Sequence, residues 1–217
     1  MVVFLHHGIG SVSQWRDFPR RLCEAVGLPG LAYDREGHGK SEPRVQAIGP
    51  DYLHIEARRL EALLDQEQVR NPILVGHSDG GSIALLCRTP VRAILTEAAH
   101  VFVEDITRQG IRDVVAEADR LLPRLRKHHG DKTEKLFWDW AGIWLSPAFD
   151  NWEISADIIR GRQILALQGR EDPYGTVRQL EAIGGESVLI PNCRHEPHHE
   201  APEATFDLMR DAILRWR

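Results

Sequence analysis

Residues 76 to 81 read Gly-His-Ser-Asp-Gly-Gly and follow the apolar run Ile73-Leu74-Val75. Ser82-Ile83-Ala84-Leu85-Leu86 then reads as the start of a helix. A serine on a sharp strand-to-helix turn projects its hydroxyl out of the backbone, and small neighbours let other segments pack close. A neutral hydroxyl is a poor nucleophile. It needs a histidine to take its proton, and an acid to orient that histidine and balance its charge. Two downstream segments offer these partners. Ile164-Leu165-Ala166-Leu167 runs into Gln168-Gly169-Arg170-Glu171-Asp172-Pro173, and Ser187-Val188-Leu189-Ile190 runs into Pro191-Asn192-Cys193-Arg194-His195-Glu196-Pro197. Ser78, Asp172 and His195 are the expected nucleophile, acid and base.

These residues lie far apart in sequence, so the fold must bring them together. Each follows the C-terminal end of a short apolar strand. In a parallel sheet those ends share one edge, where distant residues converge. The rest of the chain fits such a sheet. Val2-to-Leu5, Leu31-Ala32-Tyr33 and Val91-to-Leu95 read as further strands. Phe18, Leu22 and Val26, then Leu53, Ala57, Leu60 and Leu64, then Phe206, Met209, Ile213 and Trp216 mark helices with one apolar face. Gly27 reads as a C-cap. Strands alternating with helices indicate βαβ units and a mostly parallel sheet flanked by helices.

The ordered set resembles the α/β-hydrolase superfamily, most of all its small bacterial esterase-like members with a Gly-His-Ser-Asp-Gly elbow. The resemblance spans nearly the whole chain. It includes His7-Gly8-Ile9-Gly10, Asp34-Arg35-Glu36-Gly37-His38-Gly39-Lys40-Ser41, the elbow, the Gly169-to-Asp172 turn, and Cys193-Arg194-His195-Glu196-Pro197-His198. It implies the chain order serine, acid, histidine, with His195 preferred over His198 and His199. It also favours Asp172 over Glu171, and over Asp105, which follows an earlier strand. Members of the superfamily carry an antiparallel hairpin before the strand that opens this chain, so the hairpin is expected to be missing here.

A developing oxyanion needs donors fixed in advance. The expected pair is the backbone amides of Ile9 and Asp79, with the Asp79 side chain bracing nearby backbone. Residues 104–158 break the strand–helix rhythm and sit where the superfamily places a cap. They read as helical, over Ile111–Leu122 and Thr133–Trp144. The expected organisation is a core over residues 1–103, a helical cap inserted at 104–158, and the remaining core over 159–217. Four of six tryptophans lie in the insertion, with Phe137 and Phe149. Trp138, Trp140 and Trp144 are the expected substrate contacts, since pockets are mostly apolar; packing of the cap on the core is the alternative for each of these aromatics.

The chain has 217 residues, 42% of them hydrophobic, and a net charge of −5. That size suits one α/β domain, and no broad basic field invites nucleic acid. No apolar run reaches the ~20 residues of a membrane span. The N-terminus lacks the basic leader of a signal peptide. With three cysteines, Cys23, Cys87 and Cys193, a reducing cytoplasm is expected, and Cys193 reads as a packing residue. His195, His198 and His199, with His6-His7, match no strong zinc spacing, and Gly8-to-Ser13 departs from the dinucleotide fingerprint. No metal or cofactor is expected. The expected activity is hydrolysis of small carboxylic esters through an acyl-enzyme. Lactone or carbon–carbon bond hydrolysis and a silent ligand-binding member remain open alternatives. The sequence is mute on oligomeric state.

Overall fold

The computed structural model describes residues 1–216. Its sheet has six strands: β1 (Val2–Leu5), β2 (Gly30–Ala32), β3 (Ile73–His77), β4 (Ala93–Glu97), β5 (Ile164–Gly169) and β6 (Glu186–Ile190). Every pairing is parallel, in the order β2-β1-β3-β4-β5-β6. The sheet therefore grows one way from β1 to β2 and the other way from β3 onward. At that reversal the loops leaving β1 and β3 part and leave a crevice. The Gly8–Ile9 loop and Ser78 stand on its two sides.

Both faces of the sheet are covered, and strand alternation divides the core in two. Val3, Leu5, Leu74, Ile94 and Ala166 face helices α2 (Tyr52–Gln66), α3 (Asp79–Leu86) and α8 (Val177–Ile183). Val2, Phe4, Ile73, Val75, Leu95 and Leu165 face α1 (Phe18–Val26) and α10 (Pro202–Trp216). Each period-2 switch sends the next side chain to the opposite face, so these strands read as continuous apolar runs. Leu74 is fully buried, and truncating such a leucine to alanine costs about 2–5 kcal/mol. The α1 stripe of Phe18, Leu22 and Val26 is buried, and Gly27 ends the helix in the left-handed region at φ 65°.

Between β4 and β5 the chain forms α4 (Asp105–Ala116), α5 (Ala118–His129) and α6 (Thr133–Leu145), then the short α7 (Ala156–Ile159). The expected helix over Ile111–Leu122 is in fact two. The chain turns at Glu117, whose amide bonds back to Asp113 and Val114, and α5 then carries Pro123. An antiparallel bridge between Phe102 and Glu153 ties the two ends of this region together. The second strand is shifted by one residue from the expected Leu31–Tyr33: it begins at Gly30 and leaves Tyr33 outside.

Candidate active site

β3 ends at His77, and Ser78 takes φ 53° and ψ −118° before α3 begins. A side chain at positive φ is strained, and packing must hold it there. Two glycines permit that packing. A Cβ on Gly76 would strike the Gly80 backbone, and one on Gly80 would strike the Leu5 carbonyl. The Ser78 amide donates to the Glu97 carbonyl at 2.8 Å, which ties the turn to β4.

Asp172 lies on the turn after β5, and His195 on the loop after β6. The histidine Nδ1–H donates to both Asp172 oxygens, at 2.9 and 3.0 Å. The carboxylate also accepts the Tyr174 amide at 2.9 Å. Burial opposes a proton on His195, but the charge and hydrogen bond of Asp172 outweigh it, so its pKa lies above the ordinary histidine value. Gly169 lets these two loops meet, because a Cβ there would collide with the backbone of Cys193 and Arg194. Glu171 and Asp105 are exposed, and the carboxylate bonded to His195 is that of Asp172.

Ser78 and His195 line one cavity of about 480 Å³, together with Ile9, Asp79, Trp140 and Trp144. Among the described residues the Ser78 hydroxyl has no hydrogen-bond partner. In unliganded active sites such contacts are often long and tighten with substrate. Among the described residues the Ile9 and Asp79 amides have no acceptor. The peptide units around Ile9 are pinned by side chains on their carbonyls. Arg35 Nη2 donates to the His7 carbonyl at 2.7 Å. His38 Nε2 lies 2.9 Å from the Gly8 carbonyl, and His129 Nε2 lies 3.0 Å from the Ile9 carbonyl. His129 accepts the Gly39 amide on its other nitrogen at 2.9 Å, which fixes its tautomer. His38 also has the Glu36 carbonyl 3.0 Å from Nδ1. Burial and the Arg35 charge hold that ring neutral, so it has one proton to give, and we assign it to Nε2.

Trp140 and Trp144 both line the cavity, and Trp144 is almost fully buried. Trp138 does not line it. That side chain is 46% exposed and rests edge-on against Phe137. Residues two apart on a helix point to nearly opposite faces, whereas Trp140 and Trp144 are four apart and share one. Phe149 and Trp152 stack at 5.1 Å inside the core. The Asp79 side chain does not brace backbone as expected. It accepts the Tyr52 hydroxyl at 2.9 Å and faces Arg35 at 4.0 Å.

Several supporting residues escaped the sequence reading. Glu97 ends β4 fully buried, and accepts from His198 Nδ1 at 2.6 Å and the His198 amide at 3.1 Å. His77 Nε2 donates to the His195 carbonyl at 2.7 Å. The loop that bears His195 is thus held at two points to the central strands. Glu104, just before α4, accepts from the Thr176 amide and hydroxyl and from Gln179 Nε2. Burial would raise its pKa, but these bonds prevail and lower it. They join α4 to the segment that follows Asp172. Of these residues only Glu97 left a trace in the sequence, as an acid directly after an apolar strand.

Among the described residues no three histidines, cysteines or acids are grouped to hold a metal ion. His199 instead donates to the Gln14 carbonyl at 2.9 Å. No described helix is long and apolar enough to cross a membrane. Cys193 is buried, and burial pushes its thiol up to about 12.

Residues 2–208 match the family model described as the alpha/beta hydrolase family. The chain belongs to the alpha/beta hydrolase family. Among curated relatives it is 33% identical over 84 residues to the sn-1-specific diacylglycerol lipase ABHD11 of Danio rerio. That match takes in 39% of this chain and a quarter (25%) of the lipase. It is 26% identical over 199 residues to the serine hydrolase BPHL of Mus musculus, covering 84% of this chain and 68% of that protein. Among solved structures, NosK from Streptomyces actuosus superposes with a TM-score of 0.74 at 20% identity, covering 99% of this chain and 97% of that one. This family member therefore has the family's fold over nearly its whole length, and hydrolysis is the chemistry of that family.

Proposed function

We propose that this hydrolase cleaves small carboxylic esters with Ser78 as nucleophile, His195 as general base and acid, and Asp172 as the residue that orients His195. The observation that carries this reading is the pairing of His195 with Asp172 in the cavity where strained Ser78 presents its hydroxyl. His195 Nε2 removes the proton as Ser78 Oγ attacks the ester carbonyl. Asp172 keeps Nδ1 protonated, so Nε2 is the free acceptor. The oxyanion forms against the amides of Ile9 and Asp79. Collapse of the intermediate expels the alcohol with the proton from His195. Water enters by the same route in reverse roles and releases the acid, restoring Ser78.

In this reading residues 104–158 form the cap. Thr107, Gly110, Ile111 and Val114 from α4 and Trp140 and Trp144 from α6 line the cavity beside Ser78. They form an apolar wall beside Ser78, while Asp113, Glu117, Arg120, Arg194, Glu196 and Glu200 line other parts of the cavity. The relationship to the mouse serine hydrolase supports the nucleophile.

Hydrolysis of p-nitrophenyl acetate tests the reading. The wild-type chain is expected to turn over, and Ser78→Ala to lose several orders of magnitude in kcat. Near wild-type turnover by a folded Ser78→Ala chain contradicts it.

A further inference from the structure

A second cavity, of about 240 Å³, lies beside the first. The two share Gly8, Asp79 and Trp140 in their walls. Beyond that wall the second cavity is lined by His38, Pro43, Ile48, Tyr52 and Leu136, and its surface is mostly apolar. Of the charged groups in its wall, Asp79 faces Arg35 and accepts the Tyr52 hydroxyl, and Arg44 is paired with buried Glu56. Lys132, Lys135 and Asp139 stand around its outer end, with Lys135 Nζ 2.5 Å from Asp139 Oδ2. No residue from 170–200, which carries Asp172 and His195, touches it.

The geometry of attack on an ester assigns this space. The tetrahedral carbon carries Ser78 Oγ, the oxyanion, the leaving oxygen and the acyl chain. The oxyanion must face the Ile9 and Asp79 amides. The leaving oxygen must face His195, which hands it a proton. The acyl chain takes the remaining direction, past Asp79 and away from His195. We propose that the second cavity receives the acyl chain of the ester and that Trp140 is the partition that admits it. This rests on the serine-hydrolase reading. The alcohol portion stays in the first cavity, among Tyr174, Arg194 and Glu200.

The volume sets the substrate class. One carbon-sized group occupies about 30 Å³, the share of a water molecule. The cavity therefore holds an acyl chain of roughly four to eight carbons. A longer chain must push apolar carbons among Lys132, Lys135 and Asp139, which costs those groups solvation. The substrates are thus esters of short aliphatic acids.

The test compares p-nitrophenyl acetate, hexanoate and dodecanoate in the wild type, Leu136→Trp and Ile48→Trp. Both substitutions fill the cavity, from α6 and from the loop before α2, so one serves if the other misfolds. The wild type is expected to give a higher kcat/KM for hexanoate than for acetate or dodecanoate. Filling is expected to lower the hexanoate-to-acetate ratio by about tenfold or more. Trp140→Ala is expected to broaden the range toward dodecanoate. An unchanged ratio in the filled variants overturns the assignment. Labelling of the wild type by a small fluorophosphonate separates the two failures. A labelled enzyme with unchanged ratios loses only the acyl assignment, and an unlabelled one loses the serine reading. The assignment is then decided by tryptophan fluorescence of Ser78→Ala titrated with hexanoate. Quenching or enhancement that vanishes when Ile48→Trp is added upholds the cavity as the acid's site. A response untouched by that substitution rejects it.

Discussion

His38 Nε2 stands 2.9 Å from the carbonyl oxygen of Gly8, and that carbonyl belongs to the same rigid peptide unit as the Ile9 amide. A side chain on one end of the unit therefore aims the donor on the other. His38→Ala frees the unit to rotate. The expected result is a kcat lower by about tenfold to a hundredfold, with KM little changed, because the lost alignment matters where the oxyanion forms. Steady-state kinetics on p-nitrophenyl acetate provide the check. A loss confined to KM would remove His38 from this role.

Asp172→Asn carries a signed pH expectation. Burial lowers the His195 pKa, and the Asp172 charge and hydrogen bond raise it above the ordinary value. The base works only when neutral, so activity rises as pH climbs through that pKa. Without the carboxylate, only the lesser pull of Glu196 and Glu200 still opposes burial. The acid limb of kcat/KM is expected to move to lower pH, while the maximum falls by about 10⁴-fold as the tautomer is lost. An acid limb that stays in place would show that Asp172 does not set the titration.

The buried histidines make stability fall in acid. Burial is the largest cause lowering His6, His7, His38 and His77 well below the ordinary value, and it brings His100 down to about 4. The unfolded chain protonates these rings below about pH 6.5, and the folded chain resists. Unfolding therefore takes up protons, and the stability present above pH 6.5 is lost as pH falls below it. Each such ring contributes a slope of about 1.4 kcal/mol per pH unit. His195, with its raised pKa, contributes with the opposite sign, and it is outnumbered. Calorimetric Tm values are expected to be flat from pH 8 to 7 and to drop steeply from 6.5 to 5. A Tm constant down to pH 5 would contradict the neutral cluster.

The sheet and the loops bearing Ser78, Asp172 and His195 were legible because local patterns encode them. Val3, Leu74 and Leu165 sit in short apolar runs, and each run ends in a turn with its own residue signature. The break at Glu117 was not legible, because neither glycine nor proline marks it and the apolar positions continue past it. The roles of His38, His77 and His129 were hidden for a different reason. Each ring bonds a backbone carbonyl 30, 118 or 120 residues away, and no periodicity records such a contact. Trp138 is another matter, since helical spacing alone sets it on the face opposite Trp140.

Covalent trapping tests the central claim most directly. The wild-type chain is incubated with a small fluorophosphonate, and its intact mass and peptides are measured. One adduct is expected, on Ser78, absent from Ser78→Ala and much slower to form in His195→Ala than in His198→Ala. A folded wild-type chain that stays unlabelled, or an adduct on any other residue, contradicts a serine nucleophile at the end of β3.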